Sequence, residues 1–242
     1  KGLRNPQELA FDRHGNLFTG DNDSDQGDRE RLVYVMEGSD SGWRVGYQWH
    51  FDNKAGPWNK ERLWWPEFPG QAAYLLPPVQ NIDNGPSGIV YNYGVGLPEA
   101  YDGDILMCHF NGTPVSSGVT AYDYAPKGAG FELVGSERIF WNCLPTDVDF
   151  GPDANLYFTD WHEGWPKSSK GRIYRGAFDG ADAALKEQTR EILGSDFADF
   201  DDETLSALLG HQDKRVRLEA QFELVRRGPT KTDTRVDAAT LS

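Results

Sequence analysis

The stretch Pro6-Gln7-Glu8-Leu9-Ala10-Phe11-Asp12-Arg13-His14-Gly15-Asn16-Leu17-Phe18-Thr19-Gly20-Asp21 aligns without a gap on Pro145-Thr146-Asp147-Val148-Asp149-Phe150-Gly151-Pro152-Asp153-Ala154-Asn155-Leu156-Tyr157-Phe158-Thr159-Asp160. Each copy reads as a short strand, a tight turn rich in Asp, Gly and Asn, and a second strand. A looser copy starts at Pro86-Ser87-Gly88-Ile89-Val90-Tyr91 and resumes, after an inserted loop, at Gly103-Asp104-Ile105-Leu106-Met107-Cys108. Outer strands follow the three pairs at Arg31 to Met36, Val119 to Tyr124 and Gly171 to Arg175.

The copies begin at positions 6, 86 and 145, in steps of 80 and 59 residues. A bare propeller blade takes about 40 to 50 residues, so long loops absorb the excess. The reading is a mainly β chain with three consecutive blades, roughly half a propeller. An isolated half leaves open edges and an unfilled axis, so further blades are expected upstream of Lys1. Composition agrees: 27 Gly, 14 Pro and 31 aromatic residues suit a turn-rich β protein better than a helical bundle.

After Tyr174 the pattern becomes helical, with a helix expected over 181–193 and a helix pair over 202–209 and 213–227, stopped by Gly228-Pro229. Leu205, Leu208 and Leu209 form one stripe; Val216, Ala220 and Leu224 form another. The run from Leu208 to Arg217 resembles the turn and second helix of a HEAT repeat, a unit that cannot bury its own stripe alone. The expected division is 1–178 partial propeller, 179–228 helical HEAT-like segment and 229–242 polar linker or tail.

The formal net charge of −14, without a local basic patch in the sequence, excludes a nucleic-acid or anionic-membrane surface. No run of eighteen apolar residues is present, so direct membrane insertion is not expected. Between positions 21 and 30 the chain carries five carboxylates, on Asp21, Asp23, Asp25, Asp28 and Glu30. Oxygen ligands at that density suit Ca²⁺, the alternative being a solvated acidic turn closed by Arg29 and Arg31. An EF-hand does not fit, because Gly27 falls one position late and Leu32 stands where a bidentate Glu belongs.

The motifs Gly2-Leu3-Arg4-Asn5-Pro6-Gln7, the acidic loop, Gly38-Ser39-Asp40-Ser41-Gly42-Trp43, Pro86-Ser87-Gly88 and Leu97-Pro98-Glu99-Ala100-Tyr101-Asp102-Gly103-Asp104 occur in that order. Together they resemble the soluble glucose/sorbosone dehydrogenases that use pyrroloquinoline quinone (PQQ), six-bladed-type propellers. The whole chain is similar to the large membrane-bound dehydrogenases of planctomycete-type bacteria, in which such a propeller precedes HEAT-like repeats and a c-type cytochrome module. The resemblance implies oxidation of a sugar or other alcohol, with the quinone supplying the chemistry. It implies Arg4 and Asn5 at the quinone, main-chain carbonyls around Asp23 and Ser24 at a Ca²⁺, a cytochrome module as electron acceptor, and a periplasmic or exported location.

Departures from that family's pattern are equally plain. The turn of the third copy reads Cys143-Leu144-Pro145 where arginines are the rule, and the family's histidine base belongs to an earlier blade, so this stretch alone is not expected to turn over substrate. His162, in the loop equivalent to the acidic one, is a candidate catalytic base or a hydrogen-bonding loop residue. Trp64-Trp65, Trp161 and Trp165 could stack on sugar rings or pack long loops over the sheets. Arg4 could instead serve as an axial arginine paired with Asp21 or Asp147, His109 is expected to be structural, and Cys108 and Cys143 could be a disulfide or free thiols. Two other functions stay open beside the dehydrogenase: a non-catalytic, calcium-stabilised binding module, and a Ca²⁺-dependent lactonase-like hydrolase.

Overall fold

A computed structural model describes residues 1–23, 29–43, 76–165 and 169–228. Among these, eleven strands form three antiparallel sheets, each a sequential meander. The first holds β1 (Ala10–Phe11), β2 (Leu17–Asp21), β3 (Arg31–Tyr34) and β4 (Gln80–Asn81). The second holds β5 (Pro86–Tyr91), β6 (Ile105–His109), β7 (Gly118–Lys127) and β8 (Gly130–Trp141). The third holds β9 (Pro145–Phe150), β10 (Leu156–Asp160) and β11 (Arg172–Gly176).

The internal repeat is visible in the turns. Phe11 pairs with Leu17, Tyr91 with Ile105 and Phe150 with Leu156, so the three copies share one register. Between β1 and β2 the Asp12 amide donates to the Asn16 carbonyl and Gly15 turns at φ 83°. Between β9 and β10 the Gly151 amide donates to Asn155 in the same way, and Ala154, aligned with Gly15, takes φ 57°. A side-chain carboxylate braces each turn: Asp12 accepts the His14 and Asn16 amides, and Asp153 accepts the Asn155 amide.

Two apolar cores lie between the three sheets, and β6 serves both. Its alternating side chains send Ile105 and Met107 into a core with Phe18, Leu32 and Ile89. Leu106 and Cys108 enter the other, with Val119, Val148, Leu156 and Phe158. The strand is therefore apolar on both faces, as its unbroken Ile-Leu-Met-Cys run requires. Where β5 meets β9 the backbones come so close that a Cβ on Gly88 would lie 2.5 Å from Asp147 Cα.

The helical segment has the expected parts: α1 (Ala183–Leu193), α2 (Asp202–Leu208) and α3 (Lys214–Arg227). Asp182, Asp201 and Asp213 cap their N-termini, and Gly228 closes α3 at φ 78°. Leu205, Val216 and Ala220 are buried as the stripes predict, whereas Leu209 is 42% exposed and Glu223 is buried, held by Arg226 and Arg227. Three side chains fasten the helices to the turn end of the sheets. Lys186 donates to Asn155 Oδ1, Arg215 to the Phe150 and Gly151 carbonyls, and Gln212 to the Gly94 carbonyl. None of the helices is long and apolar enough to cross a membrane among the described residues.

Candidate functional site at the loop end of the sheets

Arg4 and Asn5 stand before β1, at the end of the sheets opposite the helices. Their main-chain amides both donate to Oδ1 of Asp21, at 2.8 and 2.9 Å. Asp21 is fully buried, and its Oδ2 is held by the guanidinium of Arg31, which also donates to the Ser41 carbonyl. The Arg4 guanidinium carbon lies 5.7 Å from the centroid of the Trp43 ring. The turn backbone is thus fixed from beneath by a carboxylate, while the exposed Asn5 side chain and the Arg4–Trp43 pair sit above it.

The repeat explains what Asp21 does. Asp160, its aligned equivalent, accepts the amide of Leu144, the equivalent of Asn5, at 2.7 Å, and lies 3.6 Å from Arg172. In the second sheet His109 occupies the same rank, so the equivalent amide, that of Gly85, turns to Glu30 Oε1 of the preceding sheet at 2.9 Å. One buried carboxylate therefore secures the chain ahead of each inner strand, satisfying an amide that would otherwise be orphaned. Of the expected Ca²⁺ ligands, Asp21 and Glu30 have this structural work. Asp23 accompanies Asn22 at the mouth of the loop, its amide on the Asn22 side chain. Ser24, Asp25 and Asp28 lie outside the described residues, as do Trp64 and Trp65. No group of three or more His, Cys, Asp or Glu suited to a metal occurs among the described residues.

His109 is fully buried on β6, with Nε2 2.9 Å from the Tyr122 hydroxyl, and burial pulls its pKa down to about 4. It is a structural histidine. His162 follows β10 at φ 75°, its Nδ1 3.4 Å from Glu163. Trp161 and Trp165 both pack on Phe110, with ring centroids 5.3 Å away in each case, so they join the loops of the second and third sheets. A pocket of about 370 Å³ opens beside them, lined by Thr146, Asp160, Trp161, Ser169 and Lys170. Cys108 and Cys143 are free thiols. Burial raises both, Cys143 to about 11, so neither is an activated nucleophile.

Sequence reading passed over Glu8. The alignment gives Glu8, just before β1, the same rank as Gly88 on β5 and Asp147 on β9. Because Gly88 has no side chain, Glu8 reaches across it to accept the Ile89 amide at 2.7 Å, next to Asp147. Burial, then the carboxylates of Asp147 and Asp149, lift Glu8 to about 7 against the lowering pull of that amide. The donor set at the loop end suits an anionic planar ligand: a guanidinium and an amide on a fixed turn, beside an indole face.

No protein-family model matches this chain, and no curated protein matches it. Among solved structures it is similar to a Thermus thermophilus oxidoreductase titled a glucose dehydrogenase, with 18% identity over 72% of this chain and 45% of that one and a TM-score of 0.49. It is also similar to the PQQ-bound form of an aldose sugar dehydrogenase from Streptomyces coelicolor, at 20% identity, 72% and 43% coverage and a TM-score of 0.46. A soluble aldose sugar dehydrogenase from Escherichia coli, in its apo-form, gives 16% identity, 72% and 45% coverage and a TM-score of 0.43. The chain spans less than half the length of each of these proteins.

Proposed function

We propose that this chain is part of a quinoprotein-like dehydrogenase that oxidises a sugar or other alcohol, with PQQ at the loop end and a Ca²⁺ beside it. The observation that carries the reading is the Arg4-Asn5 turn, whose main-chain amides are both held by Asp21 and whose arginine lies 5.7 Å from the Trp43 ring centroid. Bound there, PQQ supplies a two-electron acceptor. Arg4 pairs in a fork with its carboxylate or quinone oxygens, Asn5 donates beside it, and Asp21 holds both residues in place. Carbonyls near Asp23 and Ser24 hold the Ca²⁺. The three sheets are blades of a six-bladed-type propeller formed by residues 1–178, residues 179–228 begin a HEAT-like array, and 229–242 form a linker. The complete protein is exported and passes electrons to a c-type cytochrome module.

The test is a titration of the chain with PQQ, with and without Ca²⁺, followed by calorimetry and visible absorbance, and repeated on Arg4→Ala. Calcium-dependent saturable binding that Arg4→Ala abolishes, with the fold intact, supports the reading. Unchanged affinity in that variant overturns it. The Cys143-Leu144 turn, which offers no cation where Arg4 stands in the first copy, favours a second reading, a calcium-stabilised recognition platform without cofactor. Calcium uptake without PQQ uptake would select that platform or a lactonase-like hydrolase.

A further inference from the structure

Far from the loop end, the β1–β2 turn and helix α3 enclose a pocket of about 550 Å³ whose walls include Phe11, Arg13, His14, Leu209, Lys214 and Arg217. Its polar character is opposite to that of the chain, which has 38 acidic residues against 24 Lys and Arg. Lys214 and Arg217 lie one turn apart on α3 and face the same ring, with Lys214 Nζ 5.4 Å and the Arg217 guanidinium carbon 5.9 Å from the Tyr93 centroid. Lys214 Nζ also stands 5.5 Å from the Phe11 ring.

Neither cation has a carboxylate partner among the described residues. Arg217 donates to the carbonyls of His211 and Gln212, both at 2.6 Å, and Lys214 Nζ lies against the Phe11 and Tyr93 rings. Asp12 lines the same pocket, but it is buried and its oxygens serve the His14 and Asn16 amides, the Asn16 side chain and the Tyr124 hydroxyl. Arg13, on the facing wall, is held by the Tyr91 hydroxyl at 2.8 Å and by Asp102 at 2.7 Å. Burial, then the nearby Arg217, pull Lys214 below the usual lysine range against the opposite pull of Asp12.

We propose that this pocket binds a small organic oxyanion, a phosphate monoester or a carboxylate, between Lys214 and Arg217, with its apolar body against Phe11 and Leu209. Both are exposed, at 48% and 42%, on the pocket wall. The ligand supplies the missing countercharge and bridges the helical segment to the first sheet, so it also stabilises that contact by mass action.

The test is a titration of the 242-residue chain with phenyl phosphate and, separately, benzoate, at constant ionic strength set with sodium chloride and read by amide NMR. Saturable shifts concentrated at Arg13, His14, Lys214 and Arg217 are expected with one or both, and the stronger arm identifies the ligand's head group. Lys214→Gln is expected to weaken binding about tenfold, the loss of one charge-assisted contact, while Lys214→Arg retains it. Shifts that fail to saturate, that scatter over the surface, or that survive unchanged in Lys214→Gln overturn the proposal. Should Lys214→Gln not fold, Lys214→Arg and an Arg217→Gln variant carry the same comparison.

Discussion

Replacing Asp21 by Asn is the sharpest test of how the candidate site is held. The substitution preserves shape, and Oδ1 can still accept the Arg4 and Asn5 amides, but the new amide group turns N–H donors toward the Arg31 guanidinium. Asp21 and Arg31 side chains are 0% and 6% exposed, so the substitution removes a buried carboxylate from beside a buried guanidinium. Breaking one partner out of such a pair costs about 3 to 5 kcal/mol, a large part of the roughly 5 to 15 kcal/mol that keeps a domain folded. With a urea dependence of about 2 kcal/mol per molar, the unfolding midpoint is expected to fall by about 1.5 to 2.5 M. The aligned change Asp160→Asn is the internal control. Arg172 is 49% exposed and 3.6 Å away, so solvent compensates it and the loss is expected near about 1 kcal/mol. Adding Arg31→Met to Asp21→Asn removes the buried cation that Asp21 compensated and should recover much of the stability. Equal losses at Asp21 and Asp160, or a double variant no better than Asp21→Asn alone, would refute the reasoning.

Two further outcomes follow from the inner strands. Glu8 is raised to about 7 in the folded chain from an ordinary 4.5, so folding favours its protonated form: that stabilisation is complete below about pH 4.5 and is lost as pH rises through 7. Since Glu8 is only partly buried, about 1 to 2 kcal/mol is expected, and Glu8→Gln should flatten this part of the profile of unfolding free energy against pH; an unchanged slope would assign it to other groups. Gly88→Ala would bring a Cβ to 2.5 Å from Asp147 Cα and 2.8 Å from the Val148 amide, backbone atoms that cannot swing aside. A loss of about 1 to 3 kcal/mol is expected by thermal unfolding, against a near-neutral Gly130→Ala, whose Cβ would meet nothing within 4 Å.

The nine strands read from the sequence all exist, because the repeat marked the strand pairs and their turns and an outer strand follows each pair; the first helix was legible from its composition and the other two from their apolar stripes and the Gly228-Pro229 stop. Two strands escaped: the two-residue β4 and β8, the longest at 12 residues. For β8 the reason is physical. Its Glu132, Glu137 and Arg138 belong to an exposed edge, where the pattern of apolar positions fades, yet Pro126-Lys127-Gly128-Ala129-Gly130 was a readable hairpin turn, with Gly128 at φ 59°. The position of Arg4 and Asn5 ahead of the first strand was readable, and the work of Asp21 and Glu30 was not. A dense acidic loop looks the same whether its carboxylates face an ion or a main-chain amide, and only the match between Asn5, Gly85 and Leu144 in space separates the two. The Lys214–Arg217 pocket escaped for a related reason: its two cations stand together in Lys214-Arg215-Val216-Arg217, but the rings they face, Phe11 and Tyr93, come from segments far away in the chain.

Glu30 stands just before β3 of the first sheet but secures the second, and Glu8 reaches the Ile89 amide across the same boundary. The seam is therefore stitched by hydrogen bonds from main-chain amides to side-chain carboxylates as well as by apolar contact. A lost side-chain contact can be repacked around; a stranded amide cannot. Detaching the first sheet would strip the second of two acceptors at once, leaving its leading edge frayed, so these units should melt as one cooperative block rather than peel away like beads on a string.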